Sequence, residues 1–229
     1  MSARPHFAKA AAKAVCAGRN YVAHARELNN PLPANPFFFL KPSSTFLPFD
    51  GAPLGGDSGT PNLVEFPQAN ELHHELELSV VIGTKARKVD EASALDYVAG
   101  YCISLEMTLR DDQTIMKEKR LPWTSAKAFD TSLALGHLIP AERIPDPSAL
   151  ELWMTVDGEM TQAGPTSNMI FSVQRLIADA SRLMTLYPGD ILCTGTPEGV
   201  GRVLPGQVMR AGIKGFEEYD VEFNCAAVN

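Results

Sequence analysis

The most regular stretch of the chain is His73-His74-Glu75-Leu76-Glu77-Leu78-Ser79-Val80-Val81-Ile82. It is rich in Leu, Val and Ile and stops at Gly83, which predicts a strand. Side chains on a strand alternate faces, so Leu76, Leu78 and Val80 share an apolar face while His73, Glu75 and Glu77 share the other. The two carboxylates then sit about 7 Å apart at Cα and repel each other. A hard divalent cation would neutralise them; water would do so on a half-solvated strand. His73 adds a third option, a His-plus-carboxylate transition-metal site, although no second well-placed His follows on a matching strand.

A second period-2 run covers 101–108. Tyr101, Ile103, Leu105 and Met107 face one way, and Cys102, Ser104, Glu106 and Thr108 the other. Glu106 meets Glu75 and Glu77 if the two strands are neighbours. Shorter strands are predicted at 14–17, ended by Gly18, and at Phe37–Leu40, buried and ended by Lys41-Pro42. Leu152–Val156 turns at Asp157-Gly158 and returns through Met160; Asp190–Thr194 and a final strand through Tyr219, Val221 and Phe223 follow. Helices are predicted from Tyr21, capped by Asn20; over Glu91–Val98, capped by Asp90 and closed by Gly100; and over 109–119. After Ser172, a further cap, the residues Val173, Leu176, Ile177, Ala180, Leu183 and Met184 recur at helical spacing as a core stripe. Residues 48–62 read as a Gly- and Pro-rich loop and 144–150 as a connector. Many short strands, few helices and no βα repetition predict an α+β fold with strongly bent sheet, one domain over 14–229 behind an arm at 1–13.

The composition narrows the function. The chain has 229 residues and a formal net charge of −7, from 20 basic and 27 acidic residues, which disfavours nucleic acid and anionic membrane surfaces as partners. The four cysteines are far apart, with no CxxC pair, as expected of buried thiols in a reducing compartment. Arg4, Lys9 and Lys13 precede the first acid, Glu27; such a start reads as a disordered arm or as a targeting segment.

Three further features carry chemistry. His24 and Glu27 are three apart on one helix face, as in a carboxylate-assisted base or in an exposed ion pair. Lys127 lies among small and apolar residues, either reaching out to water or pointing into a polar pocket. The loop Gly195-Thr196-Pro197-Glu198-Gly199-Val200-Gly201 lacks the Lys-Ser/Thr of a phosphate loop, yet its N–H groups and the Thr196 hydroxyl suit a carboxylate.

Taken together and in order, these pieces resemble the fumarylacetoacetate hydrolase (FAH) family, and most of all its short eukaryotic acylpyruvase/oxaloacetate decarboxylase branch. The matching motifs are Gly18-Arg19-Asn20-Tyr21 with His24 and Glu27; Phe39-Leu40-Lys41-Pro42; His73–Glu77; Gly100-Tyr101 through Arg110-Asp111 and Gln113; Leu121-Pro122-Trp123-Thr124 with Lys127; and Thr194-Gly195-Thr196-Pro197 with Gly199-Val200-Gly201. The resemblance implies a mixed β-roll or barrel-like core with a few peripheral helices, usually dimeric. It implies Mg²⁺ or Mn²⁺ held by Glu75, Glu77 and Glu106, a water-activating dyad of His24 and Glu27, and a 2-oxo acid held by Arg110, Gln113, Lys127, Thr196 and Gly195. The implied activity is cleavage of acylpyruvates to pyruvate, decarboxylation of oxaloacetate, or both. Keto–enol tautomerisation and isomerisation of hepta-2,4-diene dioates are the alternatives within the family, and a non-catalytic 2-oxo-acid-binding protein is the alternative outside enzymes. The implied compartment is the mitochondrial matrix or the cytoplasm. One position departs from the family pattern, which has Asp where this chain has Glu106. The extra methylene shifts the carboxylate, so Ca²⁺ or Mn²⁺ joins Mg²⁺ as an expected ligand.

Overall fold

The computed structural model describes residues 7–27, 30–49 and 62–228; the loop expected at 48–62 and the first half of the expected arm lie largely outside them. The chain runs β1 (Lys13–Ala17), α1 (Val22–Glu27), β2 (Phe38–Pro42), β3 (Phe46–Pro48), β4 (Leu63–Pro67), β5 (Leu72–His74) and β6 (Leu76–Ile82). It continues through β7 (Val98–Glu106), β8 (Thr108–Leu109), α2 (Arg110–Lys119), α3 (Thr124–Lys127), β9 (Leu133–Leu135) and β10 (Ile139–Pro140). The last part comprises β11 (Glu151–Val156), β12 (Glu159–Pro165), α4 (Val173–Leu183), β13 (Ile191–Cys193), β14 (Gly201–Arg202), β15 (Val208–Ile213) and β16 (Val221–Val228).

These strands form three sheets. An eight-stranded sheet has the order β2-β1-β13-β6-β7-β9-β3, with β10 also on β7. A five-stranded sheet runs β12-β11-β15-β16-β4, and a three-stranded one β14-β5-β8. Strands β11 and β15 pack onto β6 and β7, so the two larger sheets enclose the main core. This is an α+β fold of mixed sheets with few helices.

The strand at the heart of the sequence pattern is β6, and every one of its residues is buried. Leu76, Leu78, Val80 and Ile82 face the five-stranded sheet; Val81 joins a second cluster with Cys16, Cys102, Leu133 and Cys193 on the opposite face. The half-solvated alternative therefore fails: alternation here separates two interiors, as in a central strand covered on both sides. The run also breaks at Glu75. Residues 72–74 belong to the three-stranded sheet and 76–82 to the eight-stranded one.

Several local expectations need correction. Asn20 is no helix cap: it is fully buried, its Nδ2 donates to the carbonyls of Phe171 and Thr194, and its Oδ1 accepts from the Phe171 N–H. The segment Glu91–Tyr97 is a 3₁₀ helix without an Asp90 side-chain cap, and Gly100 lies inside β7. Glycine is required there because a Cβ would come within 2.2 Å of the Ile139 carbonyl on β10. In β2 the phenylalanines are only half-buried and Leu40 is exposed, while Lys41 is fully buried. Tyr219 ends a 3₁₀ turn before β16 begins. Helix α4 follows its predicted stripe, with the Ser172 hydroxyl accepting from the Arg175 N–H, except that Leu183 is exposed. Phe7–Ala10 form a 3₁₀ turn, and Ala8 and Ala11 pack into the second cluster.

Candidate active site

The site forms where the eight-stranded sheet meets the three-stranded one. Strands β6 and β7 pair antiparallel with Glu77 opposite Ser104, and the Glu106 N–H donates to the Glu75 carbonyl at 2.8 Å. Both chains change sheets just beyond, at Glu75 and at Met107. This convergence brings one carboxylate oxygen from each of Glu75, Glu77 and Glu106 within 4.8 Å of one another. All three are buried, at 5%, 1% and 1% exposure.

Cations surround Glu75. Its Oε1 accepts from Arg110 at 2.5 Å and from Thr108 Oγ1 at 3.1 Å, and its Oε2 accepts from Lys127 Nζ at 2.8 Å. Burial alone would raise the Glu75 pKa, but Lys127 and then Arg110 outweigh it and hold the carboxyl well below its ordinary value. Lys127, in the short α3, also lies 2.7 Å from Glu106 Oε1. Burial works against its charge, yet Glu106 and Glu75 raise its pKa, so it stays an ammonium. Lys127 thus points into the pocket rather than out to water.

Glu77 is held differently. Its Oε2 accepts from the Gly195 N–H at 2.8 Å, and among the described residues no basic side chain pairs with it. Burial first, and the Glu106 charge second, push its carboxyl well above the ordinary range. A buried carboxyl kept from ionising beside two further hard oxygen donors is what a divalent cation would satisfy. The residues fit Mg²⁺, Mn²⁺ or Ca²⁺. His73 takes no part: its Nε2 bonds Glu71 at 2.9 Å and its Nδ1 accepts from Arg110 at 3.3 Å, outside the acid cluster.

His24, Gln113, Gly195 and Thr196 line the same cleft as the three acids, Arg110 and Lys127, with Glu27 behind His24. His24 Nδ1 lies 3.4 Å from Glu27 Oε2. Burial lowers the His24 pKa, while the Glu75 charge and the Glu27 contact oppose the shift. Gln113 Oε1 accepts from Arg110 at 2.5 Å, and Thr196 Oγ1 accepts from Gln162 Nε2 at 2.8 Å. The glycine loop does bind carboxylates, but the chain's own: Gly195 holds Glu77 and Gly199 holds Glu27.

Three residues with supporting roles escaped the sequence reading. Lys41 Nζ, fully buried, donates to the carbonyls of Met107 and Ser132 and of Lys127, and lies 3.9 Å from Glu106. It fixes the backbone that carries Lys127. Gln162 accepts from the Leu76 N–H and contacts His74 while it holds Thr196. Thr108 braces Glu75. A lysine inside an aromatic strand was the one available signal; Gln162 and Thr108 sit at ordinary polar positions.

The description "Fumarylacetoacetate (FAA) hydrolase C-terminal" matches residues 13–222. The chain belongs to the fumarylacetoacetate hydrolase family. Within the FAH family it goes with the short eukaryotic branch. A Dictyostelium discoideum protein named oxaloacetate decarboxylase, mitochondrial, is 47% identical over 213 residues, 93% of each chain. An Oryza sativa subsp. japonica protein named oxaloacetate tautomerase FAHD1, mitochondrial, is 49% identical over 94% of this chain and 90% of its own. Among solved FAH structures, the fumarylpyruvate hydrolase of Pseudomonas aeruginosa in complex with Mn²⁺ and pyruvate superposes with a TM-score of 0.86 at 35% identity, covering 95% of this chain and 91% of that one.

Proposed function

We propose that the chain is a divalent-cation-dependent enzyme acting on 2-oxo acids, with oxaloacetate and acylpyruvates as its substrates. The observation that carries this reading is a single cleft lined by three buried carboxylates, the paired Arg110 and Lys127, and His24 with Glu27 against its ring. Glu75, Glu77 and Glu106 would hold Mg²⁺ or Mn²⁺, which supplies a Lewis acid for a 2-oxo group when bound.

The chain's own residues do the rest. Lys127 and Arg110 place fixed positive charge where negative charge develops on the substrate's oxygens, and burial makes that charge more effective than it would be in water. The Thr196 hydroxyl accepts from Gln162, which leaves its own proton to donate to a substrate carboxylate. His24 is buried and neutral near pH 7, so it is able to take a proton, and Glu27 holds its Nδ1 side. With an acylpyruvate, His24 takes a proton from water and the hydroxide adds to the distal carbonyl. The bond from that carbon to C3 breaks, its electron pair leaves on the pyruvate fragment as an enolate, and the proton held by His24 returns to C3 to give pyruvate and the free acid. With oxaloacetate no water attack is needed. Loss of CO₂ leaves an enolate that the positive pocket stabilises until C3 is protonated, and keto–enol interconversion needs only that His24 take the proton from C3 while the 2-oxo oxygen gains one, and the reverse.

The names of the Dictyostelium and Oryza relatives favour oxaloacetate, and the Mn²⁺ and pyruvate in the Pseudomonas complex favour the cation and the pyruvate end. The same relatives' names favour a mitochondrial over a cytoplasmic compartment. A homodimer remains our expectation for the assembly.

The test is direct. Chelator-stripped protein is assayed with oxaloacetate and with acetylpyruvate, before and after Mg²⁺ or Mn²⁺ is restored. Turnover that returns only with the cation supports the reading. Wild-type turnover by Glu75→Ala in chelator would overturn it.

A further inference from the structure

The cleft has an acidic floor and a basic rim. Arg19, Arg110 and Lys117 all line it together with the three glutamates. Arg110 is committed to Glu75 and Gln113. Arg19 and Lys117 are not committed to any acid. Among the described residues neither forms an ion pair; the Arg19 guanidinium lies 5.8 Å above the Phe37 ring, and Lys117 Nζ donates to Asn30 Oδ1 at 3.2 Å.

Two more observations mark this rim. Arg19 has φ of +56°, a left-handed conformation that non-glycine residues seldom adopt and that persists where the surroundings impose it. Lys117 is an exposed residue of α2; partial desolvation first, and then the positive charges of Arg19 and Arg110, lower its pKa, so the three cations act on one another. A protein of net charge −7 has no general surplus of basic residues to explain three of them around one opening. Like charges held together are unfavourable until an anion joins them, and a guanidinium beside an ammonium suits a carboxylate.

We propose that Arg19 and Lys117 form a second anion subsite at the mouth of the cleft, which takes the distal carboxylate of a dicarboxylic 2-oxo acid. This rests on the floor being the 2-oxo-acid end, as argued above. It makes the protein selective for dicarboxylates such as fumarylpyruvate over acylpyruvates with an uncharged tail. The rim acts on binding and orientation; bond cleavage stays with the floor and the His24–Glu27 pair.

The decisive comparison uses fumarylpyruvate and crotonylpyruvate, which share a reacting centre and chain length and differ by the terminal carboxylate. Arg19→Met preserves an apolar contact with Phe37 and Lys117→Met preserves side-chain length. In each, the ratio of kcat/KM for fumarylpyruvate over crotonylpyruvate falls ~10–100-fold, the scale of one lost hydrogen bond to a charged group. The change lies mainly in KM, and the charge-keeping variants Arg19→Lys and Lys117→Arg recover most of the ratio. Calorimetry with oxalate, which mimics only the 2-oxo-acid end, serves as the control for the floor. If both substrates respond alike in the Met variants, or the wild-type ratio is already near one, the subsite is wrong while the floor stands. If the wild type neither binds oxalate with Mg²⁺ nor turns over either substrate, the reading of the floor is wrong and the subsite falls with it.

Discussion

Glu27 on α1 accepts a hydrogen bond at 3.1 Å from the main-chain N–H of Gly199, 172 residues further along the chain. The partner of His24 is thus held by the loop after β13 and not by its own helix alone. Gly199 has φ of +89°, and a Cβ there would come within 2.0 Å of the Thr161 carbonyl. Gly199→Ala should displace the loop and with it Glu27, lowering kcat for acylpyruvate hydrolysis about 100-fold, the cost of a small misplacement in a reacting site. Steady-state kinetics with acetylpyruvate would show this; an unchanged kcat would separate the loop from the proton-transfer pair.

His24 must be neutral to act as a base. Its pKa lies below the ordinary 6.5, by burial against the opposing pull of Glu75 and Glu27. The fraction able to accept a proton at pH 7 is therefore larger than for an ordinary imidazole, and it falls on acidification toward the lowered value. The pH profile of kcat/KM for acylpyruvate hydrolysis should be flat above pH 7 with an acid limb centred below 6.5. His24→Ala should remove that limb and slow hydrolysis by roughly 10²–10⁴-fold. An acid limb centred above 7 would contradict the assignment.

Glu106 reaches further than an aspartate would, and Mg²⁺ tolerates misplaced ligands less well than Ca²⁺ or Mn²⁺. Titration calorimetry on apo protein should show Mg²⁺ binding weakened relative to Mn²⁺, and Glu106→Asp should shift the balance toward Mg²⁺ by about 10-fold or less, given that only one ligand changes. No binding of any of the three ions would remove the cation from the account.

Lys41 satisfies three main-chain carbonyls from a fully buried position. Lys41→Met should leave them without a donor and leave Glu106 with one fewer positive neighbour, costing about 3 kcal/mol of stability. Urea denaturation measures this as a lower midpoint at unchanged slope. Loss below about 1 kcal/mol would mean that water replaces the ammonium.

Period-2 spacing survives when both faces of a strand are buried, so Glu75 and Glu77 were legible as one face and Glu106 as the polar face of a second strand. That the two strands are neighbours, which closes the triad, came from the family resemblance and not from spacing. The same rule failed for β2. An edge strand beside a cleft keeps Phe38, Phe39 and Leu40 partly outside and turns Lys41 inward, so hydrophobicity pointed the wrong way. Asn20 looked like a cap because its type and position suited one, while its partners, Phe171 and Thr194, lie more than 150 residues away. Contacts at such separation leave no local trace. Leu183 shows the converse: helical spacing names a stripe but not where the neighbouring element stops covering it.

The change of sheet at Glu75 has a mechanical meaning. Glu77, inside β6, and Glu106, at the end of β7, belong to the eight-stranded layer, whereas Glu75 sits on the seam where the chain passes into the three-stranded one. An ion gripped by all three would rivet separately laddered layers together, so loading and rigidity become one property. Melting temperature would then rise with cation concentration and serve as a gauge of occupancy that needs no substrate at all.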